Sequence, residues 1–163
     1  MKRGNERQLK ETGALMMAYN QSIAVAESVT SGLLQHAFGS MEHASLFYHG
    51  GITVYNIGQK SKQLNVGPIH ALQVNCVSEK VAIEMAIGVI HMFKSDWGIG
   101  ITGYASPVPE SGGALFAYFA IAFAQQTVYS GKLVPDQPDP TAAKNYYVQK
   151  ILEQLTKALK ERQ

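Results

Sequence analysis

Residues 22–32 read Ser-Ile-Ala-Val-Ala-Glu-Ser-Val-Thr-Ser-Gly, and this stretch decides how the neighbouring chain must fold. The short apolar run at residues 22–26 is typical of a strand buried inside a sheet. From Val29 to Phe38 the apolar residues take the spacing of a helix. The sequence therefore predicts a strand, a turn and a helix in succession, with Ser28 on the turn.

The chain on either side repeats this alternation of apolar strands and helices. We predict further strands at residues 46–55 and 97–102, while the apolar residues 114–129 suit either one long strand or a two-strand hairpin. Gly50 and Gly51 inside the second strand indicate a bulge or a close approach of two backbones. Helices are predicted at residues 5–20, at 58–64, at 79–94 with Ser78 as the N-cap, and after the proline-rich loop 135–140.

Strands that alternate with helices predict one α/β domain over residues 1–163, with helices on both faces of a central sheet. The strands are very apolar, which is what a sheet buried on both faces requires. The expected fold class is a three-layer α/β/α sandwich with a mixed, mostly parallel central sheet.

The composition of the 163 residues excludes several classes of protein. The net charge is only +2 and no basic stripe stands out, so we expect no nucleic-acid partner. The single cysteine, Cys76, excludes a disulfide framework and a multi-cysteine zinc site, and we interpret it as a small apolar filler.

The distribution of apolar residues bears on location and assembly. There is no apolar run of 18 residues and no signal peptide, so we expect a cytoplasmic protein without a membrane partner. Hydrophobic residues make up 46% of the chain and charged residues 16%, less than the usual quarter. This surplus of apolar surface predicts a homo-oligomer, most simply a dimer.

Ser28 is the first candidate for chemistry, because a serine between a strand and a helix is well placed to attack a carbonyl carbon. Free N–H groups at the start of the helix could hold an oxyanion or a phosphate there. Capping of the helix by Ser28 or Thr30 is the commoner use of such residues and stays open.

A nucleophilic serine needs a base, and none of the five histidines has metal-ligand spacing or a triad pattern. A lysine whose pKa is lowered by burial can replace histidine in that role. Residues 55–60, Tyr-Asn-Ile-Gly-Gln-Lys, offer Lys60 one turn into a predicted helix. Spacing alone leaves open that Lys60 is an ordinary solvated lysine.

The loop Thr-Gly-Tyr-Ala-Ser-Pro-Val-Pro-Glu-Ser-Gly-Gly at residues 102–113 follows a predicted strand. Open α/β sheets place their ligands at such strand ends. The loop has neither the Gly-Lys-Ser/Thr ending of a Walker loop nor the Gly-x-Gly-x-x-Gly dinucleotide fingerprint. The sequence does not decide whether residues 102–113 form a ligand-binding loop or a flexible surface loop.

Five short blocks, in this order along the chain, resemble one known family. They are Ala-Glu-Ser-Val-Thr-Ser-Gly at 26–32, Gly-Gly-Ile-Thr-Val-Tyr-Asn-Ile-Gly-Gln-Lys at 50–60, Leu-Asn-Val at 64–66, Val-Ser-Glu-Lys-Val-Ala at 77–82 and Ile-Thr-Gly-Tyr-Ala-Ser-Pro at 101–107. Over residues 6–160 the chain resembles the C-terminal domain of the competence-damage-inducible protein CinA. The stand-alone forms of that family are nicotinamide mononucleotide amidohydrolases.

The resemblance implies hydrolysis of nicotinamide mononucleotide to nicotinate mononucleotide and ammonia, without a metal or a cofactor. Ser28 would be the nucleophile and Lys60 its base, with Tyr55 in the same hydrogen-bonding cluster. Helix N–H groups near residues 30–32 would hold the oxyanion, and the phosphate would lie near the glycine-rich loop. The substrate-binding residues implied are Glu27, Thr30, Ser31, Gly32, Gly51, Thr102, Gly103, Ser106 and Lys144.

The sequence also departs from the family pattern around the substrate. Ser31 stands where the family has a glycine, Asn-Ile-Gly at 56–58 replaces Ser-Asn-Glu, and Glu110 enters the loop that would face a phosphate. The family's Gly-Asp-Arg before the last helix is Gly-Lys-Leu at 131–133, which leaves Lys144 as the nearest basic residue. Two hypotheses follow: an active amidohydrolase, on this nucleotide or on a changed amide, or a catalytically degenerate nucleotide-binding or assembly module.

Overall fold

A five-stranded sheet lies at the centre of the computed structural model, which describes residues 3–162. Its strands are β1 (Ile23–Glu27), β2 (Tyr48–Thr53), β3 (Trp97–Tyr104), β4 (Phe116–Phe123) and β5 (Gln126–Leu133). They lie side by side in the order β2-β1-β3-β4-β5. Strand β1 runs parallel to β2 and β3, whereas β3 with β4 and β4 with β5 are antiparallel.

The expectation of a mostly parallel sheet is wrong, because half of these strand pairs are antiparallel. The cause is the apolar stretch 114–129, for which the hairpin alternative is correct. Ala124 and Gln125 join β4 to β5 with φ angles of 48° and 69°. A two-residue turn with both φ angles positive can connect only antiparallel neighbours.

The predicted three-layer arrangement is confirmed. Helices α1 (Arg3–Ala18), α2 (Leu33–Gly39) and α6 (Pro140–Glu161) pack on one face of the sheet, and α3 (Ile57–Leu64), α4 (Pro68–Gln73) and α5 (Glu79–Phe93) pack on the other. Helix α4 was not predicted, and α2 begins four residues later than Val29 because residues 29–32 form a turn. No helix within residues 3–162 combines the length and apolar character needed to cross a membrane.

Strand β3 lets helix α5 lie directly on the sheet. Its large residues Trp97, Ile99 and Ile101 are fully buried in the core with α1, α2 and α6. The alternate positions carry glycine, and a Cβ at Gly98 or Gly100 would lie 2.2 or 2.3 Å from a carbonyl oxygen of α5. This close packing positions the loop before α5 against the end of β3.

The sequence predicted a bulge or a close backbone approach at the two glycines of β2, and the structure has both. The pairing of β1 with β2 shifts register next to its start, between Ile23 and Ala24. Gly50 has a φ of 136°, and a Cβ at Gly51 would lie 2.8 Å from the carbonyl oxygen of Val25. The strand therefore contains a bulge and a close backbone approach.

Candidate active site

A cavity of about 640 Å³ opens at the carboxyl ends of the parallel strands β2, β1 and β3. The chain leaves β1 toward β2 on one side and returns to β3 on the other, so the boundary between β1 and β3 is a topological switch point. Ligand sites in open α/β sheets lie at such points. Ser28 follows β1, Lys60 follows β2, and Thr102 lies near the carboxyl end of β3, and all three line the cavity.

Ser28 and Lys60 are in direct contact on the floor of this cavity. The Lys60 Nζ atom lies 3.1 Å from Ser28 Oγ and donates a second hydrogen bond to the Val54 carbonyl oxygen at 3.2 Å. Lys60 is 2% exposed and Ser28 is 8% exposed. The alternative of a solvated Lys60 is therefore wrong, and the pairing that the resemblance implies is present.

The start of helix α3 explains how Lys60 reaches Ser28. The Asn56 side chain caps the helix by accepting a hydrogen bond from the Gln59 amide at 2.9 Å. Lys60 lies one residue further on, so its side chain extends from the first helical turn beneath the end of β2. The departure at residues 56–58 has therefore kept the cap that positions the lysine.

Burial lowers the pKa of Lys60 from 10.5, and the nearby Cys76 thiol opposes this with a smaller effect. No ion pair among the described residues includes Lys60. An ammonium group without a carboxylate partner loses hydration on burial and gains no compensating charge, so burial shifts the equilibrium toward the neutral amine. A neutral amine beside a serine hydroxyl is a candidate general base.

Glu27, and not Ser28, occupies the start of helix α2. Its carboxylate is fully buried and accepts hydrogen bonds from the Thr30 hydroxyl at 2.6 Å and from the amides of Leu34 at 2.7 Å and Gln35 at 2.9 Å. The capping alternative is therefore wrong for Ser28, whose hydroxyl stays available to Lys60. Glu27 and Thr30 are not among the residues lining the cavity.

The turn between β1 and α2 has few amides left for an oxyanion. The Ser31 amide donates to the Ser28 carbonyl at 3.0 Å, and the Leu33 amide donates to Thr30 at 3.0 Å. Within residues 3–162, the turn amides of Val29, Thr30 and Gly32 have no acceptor, and of these three residues only Val29 lines the cavity. Of the oxyanion donors predicted near residues 30–32, Thr30 and Gly32 therefore remain.

Two of the departures from the family pattern meet at the cavity. Ser31 has a φ of 49°, in the left-handed region that favours glycine. Its hydroxyl accepts a hydrogen bond from Lys144 Nζ at 3.1 Å, and Lys144 lines the cavity. The serine that replaces a glycine thus holds the lysine that stands near the position of the missing arginine.

Tyr55 does not join the hydrogen-bonding cluster, so that expectation is wrong. It is 67% exposed, and its hydroxyl makes no hydrogen bond to Ser28 or Lys60 among the described contacts. Val54, the residue after β2, is buried, whereas the next side chain is exposed. Tyr55 lies on the wall of the cavity near its opening.

The other predicted substrate contacts divide into two groups. Thr102, Gly103 and Ser106 line the cavity, together with Glu110. Ser31 and Gly32 are not lining residues, and neither is Gly51, whose missing side chain leaves room for Val25 and Gln35. A role in substrate binding stays a prediction for all of them.

Asn75 and Cys76 also line the cavity and were not predicted to do so, whereas Tyr104 lies in the candidate ligand-binding loop 102–113 without having been singled out. The Cys76 carbonyl accepts a hydrogen bond from the buried Thr102 hydroxyl at 2.7 Å, which fixes the α4–α5 loop to the end of β3. Asn75 and Cys76 both have positive φ angles, 49° and 61°. Within the described chain, no three His, Cys, Asp or Glu side chains are grouped as metal ligands would be.

Comparisons with known proteins agree with this architecture. The family model of the CinA C-terminal domain matches residues 5–159. A CinA-like protein from Picosynechococcus is 38% identical over 72% of this chain, and the match spans only 29% of that longer protein. Protein MG115 from Mycoplasma genitalium is 33% identical over 81% of this chain and 84% of its own length.

A solved structure extends the likeness over the whole fold. The competence damage-inducible protein A from Klebsiella pneumoniae superposes with a TM-score of 0.92 and 25% identity, covering 98% of this chain and 99% of that one. The matched blocks, the three layers and the contact between Ser28 and Lys60 agree with the family match. On this evidence the chain belongs to the CinA C-terminal domain family.

Proposed function

We propose that this protein is a serine amidohydrolase that releases ammonia from a carboxamide, most directly from nicotinamide mononucleotide. The observation that carries the proposal is the 3.1 Å contact between Ser28 Oγ and the buried Lys60 Nζ. A buried lysine with a lowered pKa beside a serine hydroxyl is the arrangement of a nucleophile and its base. The family includes amidohydrolases, which supports the same reaction class.

In the proposed reaction, neutral Lys60 takes the proton of the Ser28 hydroxyl as Oγ attacks the amide carbon. The tetrahedral intermediate collapses when the C–N bond breaks, and the Lys60 ammonium returns the proton to the departing amino group as ammonia. Water then attacks the acyl-serine ester while Lys60 again accepts a proton. The second collapse releases the carboxylic acid and restores the Ser28 hydroxyl.

The negative charge that develops on the amide oxygen needs hydrogen-bond donors. The amide of Val29, the residue after Ser28, has no acceptor among the described residues, and Val29 lines the cavity. Backbone donors that are already oriented stabilise a developing oxyanion strongly. We assign this role first to the Val29 amide; the amides of Thr30 and Gly32 are also uncommitted, but those residues do not line the cavity.

A second candidate, an amide substrate without a phosphate, is favoured by the charges around the cavity. Glu110 lines it and would repel a phosphate, while the Lys144 ammonium is already hydrogen-bonded to Ser31. Ammonia release from nicotinamide mononucleotide and from its riboside distinguishes the two. A higher kcat/KM for the riboside would favour the second candidate.

The test of the proposed function is ammonia release from nicotinamide mononucleotide by the wild type and by Ser28→Ala and Lys60→Met. Removal of a nucleophile or its base costs about three orders of magnitude or more in kcat, so we expect both variants to be nearly inactive. The matched controls are Ser40→Ala, at the end of α2, and Lys62→Met, an exposed lysine of α3. Both controls should keep the wild-type rate.

Two outcomes would contradict the proposal. Full activity in Ser28→Ala would exclude Ser28 as the nucleophile. Absence of ammonia release by the wild type, from the nucleotide and from the riboside at high enzyme concentration, would favour the binding or assembly module instead.

A further inference from the structure

A hydrogen-bonded pair of side chains lines the same cavity as Ser28 and Lys60, and the reaction described above does not use it. Asn75, in the loop between α4 and α5, donates a hydrogen bond from Nδ2 to the hydroxyl oxygen of Tyr104 at 3.0 Å. Tyr104 is the last residue of β3, two residues after Thr102.

The direction of this hydrogen bond leaves the Tyr104 proton free. A phenol has one O–H donor and can also accept, and here Asn75 fills the accepting side. No hydrogen bond among the described residues uses the Tyr104 hydroxyl as a donor. A hydroxyl that already accepts one hydrogen bond is also polarised to donate a stronger one. Tyr104 therefore presents an oriented donor at the wall of the cavity.

Three contacts hold the pair in place. The Tyr104 ring packs edge-to-face against Phe116 with the ring centroids 5.3 Å apart. The Tyr104 carbonyl oxygen accepts a hydrogen bond from the buried Tyr147 hydroxyl at 2.7 Å. The loop that carries Asn75 is fixed by the 2.7 Å hydrogen bond from Thr102 to Cys76. A donor held this firmly loses little freedom when a ligand binds.

We propose that Tyr104 is a specificity-determining residue that donates its phenolic hydrogen bond to an oxygen atom of the bound amide substrate, with Asn75 as the positioning residue that orients the hydroxyl. This inference rests on the proposed amidohydrolase function. The site then accepts amides with a second oxygen acceptor in reach of Tyr104 and binds amides without one less well.

The experiment compares steady-state ammonia release from nicotinamide mononucleotide by Tyr104→Phe, Asn75→Asp and the double variant. Tyr104→Phe removes only the hydroxyl and keeps the ring on Phe116, so KM should rise about three- to tenfold, the size of one neutral hydrogen bond, while kcat stays within about twofold. Aspartate at position 75 tolerates the same positive φ. Its carboxylate would accept the hydrogen bond of the Tyr104 hydroxyl in place of the substrate, so KM should rise at least as much.

The double variant separates positioning from an independent effect. If Asn75 acts through Tyr104, Asn75→Asp should add little to KM once the hydroxyl is gone. Tyr129→Phe is the matched control, because Tyr129 lies on β5 and does not line the cavity. An unchanged KM in Tyr104→Phe, or full additivity in the double variant, would overturn the proposal.

A binding measurement separates this inference from the proposed function. In the Ser28→Ala background, calorimetry with nicotinamide mononucleotide should give a Kd that Tyr104→Phe weakens by the same three- to tenfold. If the wild type releases no ammonia but this loss of affinity is found, the pair is supported and hydrolysis is not. If there is neither hydrolysis nor binding, both proposals fail.

Discussion

The floor and the rim of the cavity differ in burial and in how closely they follow the family pattern. Ser28 and Lys60 form the floor, and Glu27, which does not line the cavity, precedes Ser28; the three are 8%, 2% and 0% exposed and stand where the family blocks have them. At the rim, Glu110 lines the cavity and Ser31 binds the lining residue Lys144; both are exposed, and both depart from the pattern. The polar side-chain atoms of Glu27, Ser28 and Lys60 have hydrogen-bond partners within the protein, whereas the rim faces solvent.

This difference shows which changes such a site can tolerate. When a buried polar group loses its hydrogen-bond partner, the protein loses the full desolvation free energy of that group. The residues at the floor of the cavity therefore cannot change one at a time. A rim residue can return to water when its partner changes. The residues around the cavity rim therefore have room to diverge around the retained contact between Ser28 and Lys60.

The largest effect expected from the residues at the floor of the cavity is on the pH dependence of the proposed reaction. Only neutral Lys60 can accept the Ser28 proton, so kcat/KM should rise about tenfold per pH unit until the lowered pKa of Lys60 is reached, and then level off. A rate profile for ammonia release between pH 5 and about pH 10 measures this. Thermal unfolding over the same range is the control for loss of folded protein. A rate that falls as pH rises through this range would contradict the role of Lys60 as a base.

The same shift makes stability depend on pH in the same direction as the rate. Because the pKa of Lys60 is lower in the folded state, the unfolded chain binds more protons between the folded pKa and 10.5, and this contribution to stability increases as pH rises through that window. Lys60→Met removes this pH-dependent penalty, but it also leaves the Ser28 hydroxyl and the Val54 carbonyl without their donor. The Tm of the variant relative to the wild type should therefore be higher below the folded pKa of Lys60 than near pH 10.5, and thermal unfolding across this range measures the difference.

Glu27→Ala tests whether the buried residues at the floor of the cavity tolerate the loss of a single hydrogen-bond partner. The change leaves the Leu34 and Gln35 amides and the Thr30 hydroxyl without their acceptor and creates a cavity, so we expect unfolding to become easier by about 3 kcal/mol. Urea denaturation measures it. Glu153→Ala is the matched control, because that carboxylate pairs with Lys150 on the surface and should contribute less than about 1 kcal/mol. Equal losses of unfolding free energy in the two variants would contradict the distinction between the buried floor of the cavity and the exposed surface.

Ser31→Gly should have the smallest effect and the opposite sign. Glycine adopts the φ of 49° without strain, so the folded state should gain about 1 kcal/mol in urea denaturation. Ser31→Ala is the matched variant, because it also releases Lys144 but keeps a Cβ in the left-handed region. A change in KM shared by both variants would belong to the lost Lys144 contact, and a gain in stability common to both would contradict the strain argument.

Much of the fold could be predicted because its signals are local. The apolar run at 22–26, the Ser78 cap and the glycines of β2 each follow from neighbouring residues, and all three predictions are confirmed. The mostly parallel sheet was wrong because a continuous apolar stretch does not reveal where a hairpin turns. Helix α4 was missed since Gly67-Pro68 indicates only a stop. The expected dimer, the cytoplasmic location and the small-molecule partner stay predictions.

The sequence by itself determined the layered α/β architecture, the place of Ser28 on the first turn and the family blocks around it, because periodicity and short motifs depend on residues close in the chain. Only the tertiary structure decided that Glu27 caps α2, that Lys60 is buried against Ser28, that Tyr55 turns away and that Asn75 meets Tyr104. The physical reason is that burial arises only when separate elements pack, as do the hydrogen bonds of Lys60 with Ser28 and of Asn75 with Tyr104, whose partners are 32 and 29 residues apart. The Glu27 partners are closer in the chain, but the turn that brings them to its buried carboxylate is also fixed by packing. Those contacts set the pKa of a lysine and the direction of a hydroxyl, and no local pattern encodes either.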